Sequence, residues 1–322
     1  MDSHFDESPD ARSMTISSAD LETHGVRFIS RPCLVSKLAS KVVNRQSRHH
    51  PAFRVGLSEN RGTRRTMEDA HSFVVDFDSV RGQGFFAVFD GHAGKYAAEW
   101  CGSHFHKACI AHQSGLLNNL LSKSLLSTLH ESPMSLIPDV LEKTFHKVDE
   151  SLSHICEESD GKIHSGCTAV TAFLRVEDAD GRQSFRKYEP TLSPSPTLKD
   201  EKLNGSEARI PIDVIIPPAD ARRVLYVANA GDARGVLCRD GQAVRLTYDH
   251  KGSDRQEAKR IMDAGGFVMS GRVNGVLAVT RSLGDPSMKE FVVGAPYTTK
   301  TVLGEQDEFL VLACDGVSAR LI

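Results

Sequence analysis

Phe85-Phe86-Ala87-Val88-Phe89-Asp90-Gly91-His92 is the stretch on which the fold turns. Its apolar run is too short for a helix and shows no polar alternation, so it reads as a strand buried on both faces and closed by an acid. The same pattern recurs twice. Val224-Leu225-Tyr226-Val227-Ala228 leads through Asn229-Ala230-Gly231 to Asp232, and Phe309-Leu310-Val311-Leu312-Ala313 leads through Cys314 to Asp315-Gly316. A looser fourth run, Val276-Leu277-Ala278-Val279, precedes Gly284-Asp285. Between these runs, Arg239-Asp240-Gly241-Gln242 carries the Asp-Gly pair of a two-residue hairpin. Ser253-Asp254-Arg255-Gln256 reads as a capping box opening a helix through Ile261-Met262, with Gly265-Gly266 ending it. Ala93 to about Ala111 and Val140 to Cys156 have helical period. Hairpin strands with flanking helices predict an α+β layered domain built on antiparallel sheets.

Outward from this region the character changes. Residues 1–52 are polar without sustained period and are expected to form a disordered tail, so the folded domain is placed at 53–322. Between Gly181 and Arg222 sit six of the thirteen prolines, which marks a disordered insertion at about 183–221. The balance of 39 Lys and Arg against 42 Asp and Glu argues against a nucleic-acid partner. No apolar stretch is long enough to span a bilayer, and the acidic start is unlike a signal peptide. The seven cysteines lack a C-x-x-C pair, which points to reduced thiols in the cytosol or nucleus.

An acid that closes a buried strand points into the cleft at the sheet rim. Glu68-Asp69, Asp90, Asp232 and Asp315 would all do so, and several carboxylates gathered there resist ionising unless cations neutralise them. An all-oxygen set suits Mg²⁺ or Mn²⁺ rather than zinc. A single Asp-Gly after a strand is usually just a turn; its occurrence together with Arg64 and His92 argues for a site. His104, His106 and His112 lack the spacing of a metal pair, His49-His50 reads as solvated, and His250 as structural.

Seven segments, in order, resemble the motifs of the protein phosphatase 2C family: Arg64-Arg65-Thr66-Met67-Glu68-Asp69-Ala70-His71, Phe86 to Gly94, Ser165 to Ala169, Ala228 to Arg234, Asp249-His250-Lys251, Arg272 to Asp285, and Ala313 to Gly316. The resemblance implies a four-layer sandwich of two antiparallel β-sheets flanked by helices. It implies a serine/threonine phosphatase that hydrolyses phosphoserine and phosphothreonine proteins with metal-activated water, acting as a monomer. Two Mg²⁺ or Mn²⁺ ions, and a third more weakly held, are implied at Glu68, Asp90, the Gly91 carbonyl, Asp232 and Asp315. Asp69 would position the water, Arg64 would take the phosphate, and His92 would protonate the leaving oxygen. No phosphoenzyme is implied, and Cys167 and Cys314 are expected to be packing residues.

The family pattern continues past Asp315-Gly316 with a Trp-Asp pair, further helices and a late strand bearing another metal-binding aspartate. This sequence reads Val317-Ser318-Ala319-Arg320-Leu321-Ile322 there. The expectation is that the last helices and strand are missing, which would leave one ion short of a ligand, with weak or no turnover and low stability. The alternative to an active enzyme is then a truncated pseudo-phosphatase that binds metal or phosphoprotein, or an incomplete gene model, since Gly316-Val317-Ser318 can be encoded by a codon followed by a splice-donor sequence.

Overall fold

The computed structural model describes residues 26–28, 53–106, 137–160, 162–185 and 214–318. Its centre is a six-stranded antiparallel sheet. In spatial order it contains β12 (Tyr297–Val302), β6 (Arg222–Ala230), β5 (Gly166–Glu177), β4 (Gly84–His92) and β3 (Ala70–Val75), with the two-residue β11 (Leu283–Gly284) also paired to β5. A second, five-stranded antiparallel sheet runs β2 (Phe53–Val55), β1 (Val26–Phe28), β13 (Asp307–Ala313), β7 (Arg234–Arg239) and β8 (Gln242–Arg245), and β9 (Val268–Met269) pairs separately with β10 (Arg272–Val273). The expected α+β sandwich of two antiparallel sheets is therefore present.

Alternation along the central strands explains their continuous apolar sequences. In β4, Phe85, Ala87 and Phe89 face a cluster under the helices, while Phe86 faces the second sheet. In β5, Cys167, Ala169 and Phe173 share the first face, and Val170, Ala172 and Leu174 the second. Successive side chains of a strand point to opposite faces, so a strand covered on both sides must be apolar at every position. The helix layer consists of α1 (Tyr96–His104) and α2 (Ile137–Glu158), both lying on the six-stranded sheet. In α2, Val140, Leu141, Thr144, Phe145, Val148 and Leu152 are buried at helical spacing, which is why the helix docks by one stripe. Phe105, just after α1, packs on Phe85, Phe89 and Phe145 with ring centroids 5.2–5.9 Å apart. Burying each such ring contributes about 2–3 kcal/mol. One turn, α4 (Asp315–Ser318), follows β13.

Several expectations need correction. Val26–Phe28 lies in the expected tail yet forms a strand between β2 and β13, with Val26 opposite both Val55 and Leu310. The rest of 1–52 lies outside the described residues. The insertion is narrower than 183–221 among the described residues. Gln183 donates to the Val176 carbonyl at 2.7 Å, and Ile215 bridges to Val80. The helix α3 (Arg255–Asp263) is capped by Asp254 rather than by the Ser253 box: the Asp254 carboxylate accepts from the amides of Gln256 and Glu257. The run Val276–Val279 is no strand; Val273 bridges Leu277 and Lys251 bridges Val279, and Val276 is largely exposed. The hairpin at Asp240-Gly241 is as expected, with both residues at positive φ, 50° and 69°. His112 lies outside the described residues. His104 stacks on Trp100, and His106 Nδ1 lies 2.8 Å from the Ser72 hydroxyl.

Candidate active site

The acidic residues reach one end of the sandwich by strand register. Ala70 pairs with Phe89, so the next residues out, Asp69 and Asp90, meet at the rim of β3 and β4, where their carboxyl groups share a hydrogen bond. Asp232 sits in the tight turn from β6 to β7, after Gly231 at φ 101°. Ala313 pairs with Arg234, which brings Asp315, two residues past Ala313, to the same end. Glu68, before β3, accepts from the Gly94 amide at 3.3 Å and from the Thr66 hydroxyl at 3.2 Å. Gly91 is needed for this close approach, because a Cβ there would overlap the Glu68 carbonyl oxygen.

Burial, followed by the charges of Asp69 and Asp315, the hydrogen bond to Asp69 and the charge of Asp232, pushes Asp90 up to about 7. Burial likewise raises Asp232, against the lowering effect of Lys251, whose ammonium lies 3.0 Å from it. Among the described residues, no three His, Cys, Asp or Glu side chains converge tightly enough to form a ready metal cage. The donor set is nevertheless of the right chemistry: only oxygens, negative in excess, and with one member already driven toward protonation for want of positive charge. Lys251 is the cation that the sequence did not reveal. It lies nineteen positions from Asp232, and no local spacing connects them.

Arg64 and Arg65 are both exposed on the loop before β3, and among the described residues no ion pair joins Arg64 to the acids. His92, the last residue of β4, has Nε2 2.7 Å from Asp285 Oδ2. Cys167 is fully buried in the core under the helices, as expected of a packing residue. Cys314 is different: it borders the site and hydrogen-bonds to Asp69, and burial, with the charges of Asp69 and Asp90, pushes its thiol up to about 12. It is therefore protonated at neutral pH and unfit as a nucleophile.

His250 is structural, as read from the sequence. It is 1% exposed, with Nδ1 3.1 Å from the Gly231 carbonyl oxygen and 3.2 Å from the Gly231 amide nitrogen. Burial, then the charge of Arg281, pushes it down to about 4 from 6.5. A histidine depressed on folding contributes stability above its unfolded pKa, and that contribution is lost as pH falls from about 6.5 toward 4. The wild type should therefore lose about 3 kcal/mol, at most, relative to His250→Asn between pH 7 and pH 4. Parallel urea-unfolding profiles for the two proteins would contradict this.

A layered antiparallel α+β fold with carboxylates gathered at the sheet rim is a frame whose oxygen donors suit hard cations. The family model described as Protein phosphatase 2C matches residues 53–179 and 202–320, and the chain belongs to that family of metal-dependent serine/threonine protein phosphatases. It is 39% identical over 269 residues to Protein phosphatase 2C homolog 1 of Saccharomyces cerevisiae, covering 82% of this chain and 77% of that protein. Identity is also 39% over 265 residues to Protein phosphatase 2C homolog 1 of Schizosaccharomyces pombe, covering 81% of this chain and 59% of that one. Among solved structures, a sex-determining protein of C. elegans shares the fold, with a TM-score of 0.58 at 23% identity over 81% of this chain and 51% of that one. Family membership favours an enzyme over the binding-only alternative.

Proposed function

We propose that this site hydrolyses the phosphate monoesters of phosphoserine and phosphothreonine in proteins, using two Mg²⁺ or Mn²⁺ ions and a third more weakly held. Glu68, Asp90, the Gly91 carbonyl, Asp232 and Asp315 would hold them. The observation that carries this reading is Asp90, raised to about 7 among three other acids, which is an electrostatic demand for a cation. When bound, such ions activate water and screen phosphate oxygens.

The chain's own residues supply the rest. Arg64, exposed on its loop, offers a planar two-point contact to the phosphate oxygens. Asp69, hydrogen-bonded to Asp90, accepts hydrogen bonds from the attacking water and aims it at phosphorus. As the bond from phosphorus to the serine or threonine oxygen breaks, His92 donates a proton to that oxygen and so avoids a free alkoxide. Burial and the nearby Asp69 and Asp90 disfavour a Cys314 thiolate, which supports direct attack by water over a thiol intermediate. Lys251 pairs with Asp232, so a cation held by that carboxylate would compete with the lysine. Free thiols at Cys101, Cys156, Cys167, Cys238 and Cys314 support a reducing compartment, cytosol or nucleus, and nothing in the reading requires more than a monomer or a nucleic-acid partner.

The test is phosphate release from a phosphothreonine peptide by the full chain. Release should require Mn²⁺ or Mg²⁺, stop with chelator, and survive thiol alkylation at pH 7. Turnover in chelator, or loss by alkylation of Cys314, would contradict it.

A further inference from the structure

Resting on the phosphatase reading, we propose that Asp285 is a positioning residue for the reaction: its carboxylate holds the His92 ring by Nε2 and leaves Nδ1 as the nitrogen that protonates the departing oxygen. Asp285 is 5% exposed, and its Oδ2 lies 2.7 Å from His92 Nε2. A carboxylate so removed from water is costly unless hydrogen-bonded, and the imidazole is one of its two described side-chain hydrogen-bond partners. The Ser282 hydroxyl donates to the same oxygen, a second contact that fixes the carboxylate.

Three strands cooperate to make this contact. His92 pairs with Gly166, and Gly166 pairs with Gly284, so the three lie in one row across β4, β5 and β11. The middle residue must lack a side chain, because a Cβ at Gly166 would overlap the Asp285 carboxyl. Asp285 itself takes the left-handed conformation, φ 50°, costing about 1 kcal/mol for a residue that bears a Cβ. Its amide donates to the Ser165 carbonyl at 3.3 Å.

The segment is braced from behind. Asp149 of α2 accepts from the Gly284 amide at 2.9 Å and pairs with Lys289 at 2.7 Å, while Lys289 also donates to the Ser282 carbonyl at 3.0 Å. Glu257 of α3 binds Thr280 at 2.8 Å and Arg281 at 2.6 Å, fixing the approach to the turn. Strain and bracing thus converge on one exposed-side target, the ring of His92. A carboxylate behind an imidazole selects its tautomer and orientation, as in other enzymes that use such a pair.

The experiment compares two esters with full-length protein in Mn²⁺. A phosphothreonine peptide loses a poor leaving group that needs a proton; para-nitrophenyl phosphate loses a stable phenolate that does not. Asp285→Asn should lower kcat for the peptide by ~30-fold or more, with KM within ~3-fold, and lower kcat for the aryl ester by less than ~3-fold. In a His92→Gln background, Asp285→Asn should cost less than ~2-fold further on the peptide. Equal losses on both esters would reduce Asp285 to a structural role, and no loss on either would remove it; each overturns the proposal. Should Asp285→Asn fail to fold, nitrogen-labelled histidine in the wild type decides the pairing. A downfield Nε2–H resonance, lost in His92→Gln, is expected, and its absence overturns the proposal. A wild type that turns over neither ester removes the phosphatase reading, and the catalytic role with it, while the resonance reports the contact separately.

Discussion

Asp90→Asn is expected to abolish phosphate release, by about a thousandfold or more, and at the same time to raise the melting temperature of the cation-free protein. The two effects have one cause. Asp90 is pushed up to about 7 from 3.8 by burial and by Asp69, Asp315 and Asp232. A carboxyl raised on folding keeps a proton that the unfolded chain releases, so stability falls as pH rises from about 4 to 7. At neutral pH the cation-free protein bears this strain. Asparagine keeps the shape without the charge, and relief of about 2 kcal/mol is expected once the sharing of charge within the cluster is allowed for, or about 5 °C in Tm. Adding Mn²⁺ should reverse the order, stabilising the wild type more than the variant. Calorimetry in chelator and in Mn²⁺ reads this directly. A cation-free variant melting at or below the wild type would show that the cluster is not under electrostatic strain, and retained turnover would remove Asp90 from the chemistry.

The second large effect is Gly91→Ala. The added methyl would overlap the Glu68 carbonyl oxygen and lie 3.2 Å from the Ala98 Cβ, so backbone has to move on one side and α1 on the other. Overpacking of this kind costs about 2–3 kcal/mol. The part that yields most easily is the loop before β3, which carries Glu68 and Asp69 and is therefore drawn away from Asp90; kcat should fall by about a hundredfold. Gly241→Ala is the control. It has open space around it but sits at φ 69°, so it should lose about 1 kcal/mol with unchanged turnover. Thermal unfolding and turnover of the pair check both statements. Equal behaviour of the two variants would mean that the close approach at Gly91 places nothing.

The strands with acids at their ends were readable in advance because burial on both faces forces apolar residues at every position, and because Asp-Gly turns carry their own signal. The same runs put Asp90, Asp232 and Asp315 at one rim. What escaped lies in pairings made only by the third dimension. Val26–Phe28 is three residues long, with no turn to announce it, and its partner Leu310 is almost the whole chain away. The Asp232–Lys251 contact and the His92–Asp285 contact each join residues from different strands or turns, and neither pair shares a spacing. Ser253 looked like the helix cap because serine and aspartate cap equally well; only the backbone turn at Asp254 separates them. The run at Val276 misled because apolar residues in a short loop mimic a strand when their exposure is unknown.

The placement of β1 has a kinetic consequence. It is the link between β2 and β13, so the five-stranded sheet is closed by residues 26–28 meeting residues 309–310. A ribosome must reach residues 309–310 before that sheet can assemble, whereas the hairpin of β3 and β4 can close much earlier. Contacts of such long sequence separation are slow to form, since the loop entropy is lost before any packing compensates it. Until β13 arrives, β1 and β7 each wait with one edge unpaired, and those exposed edges are the ones most open to aggregation in the nascent protein.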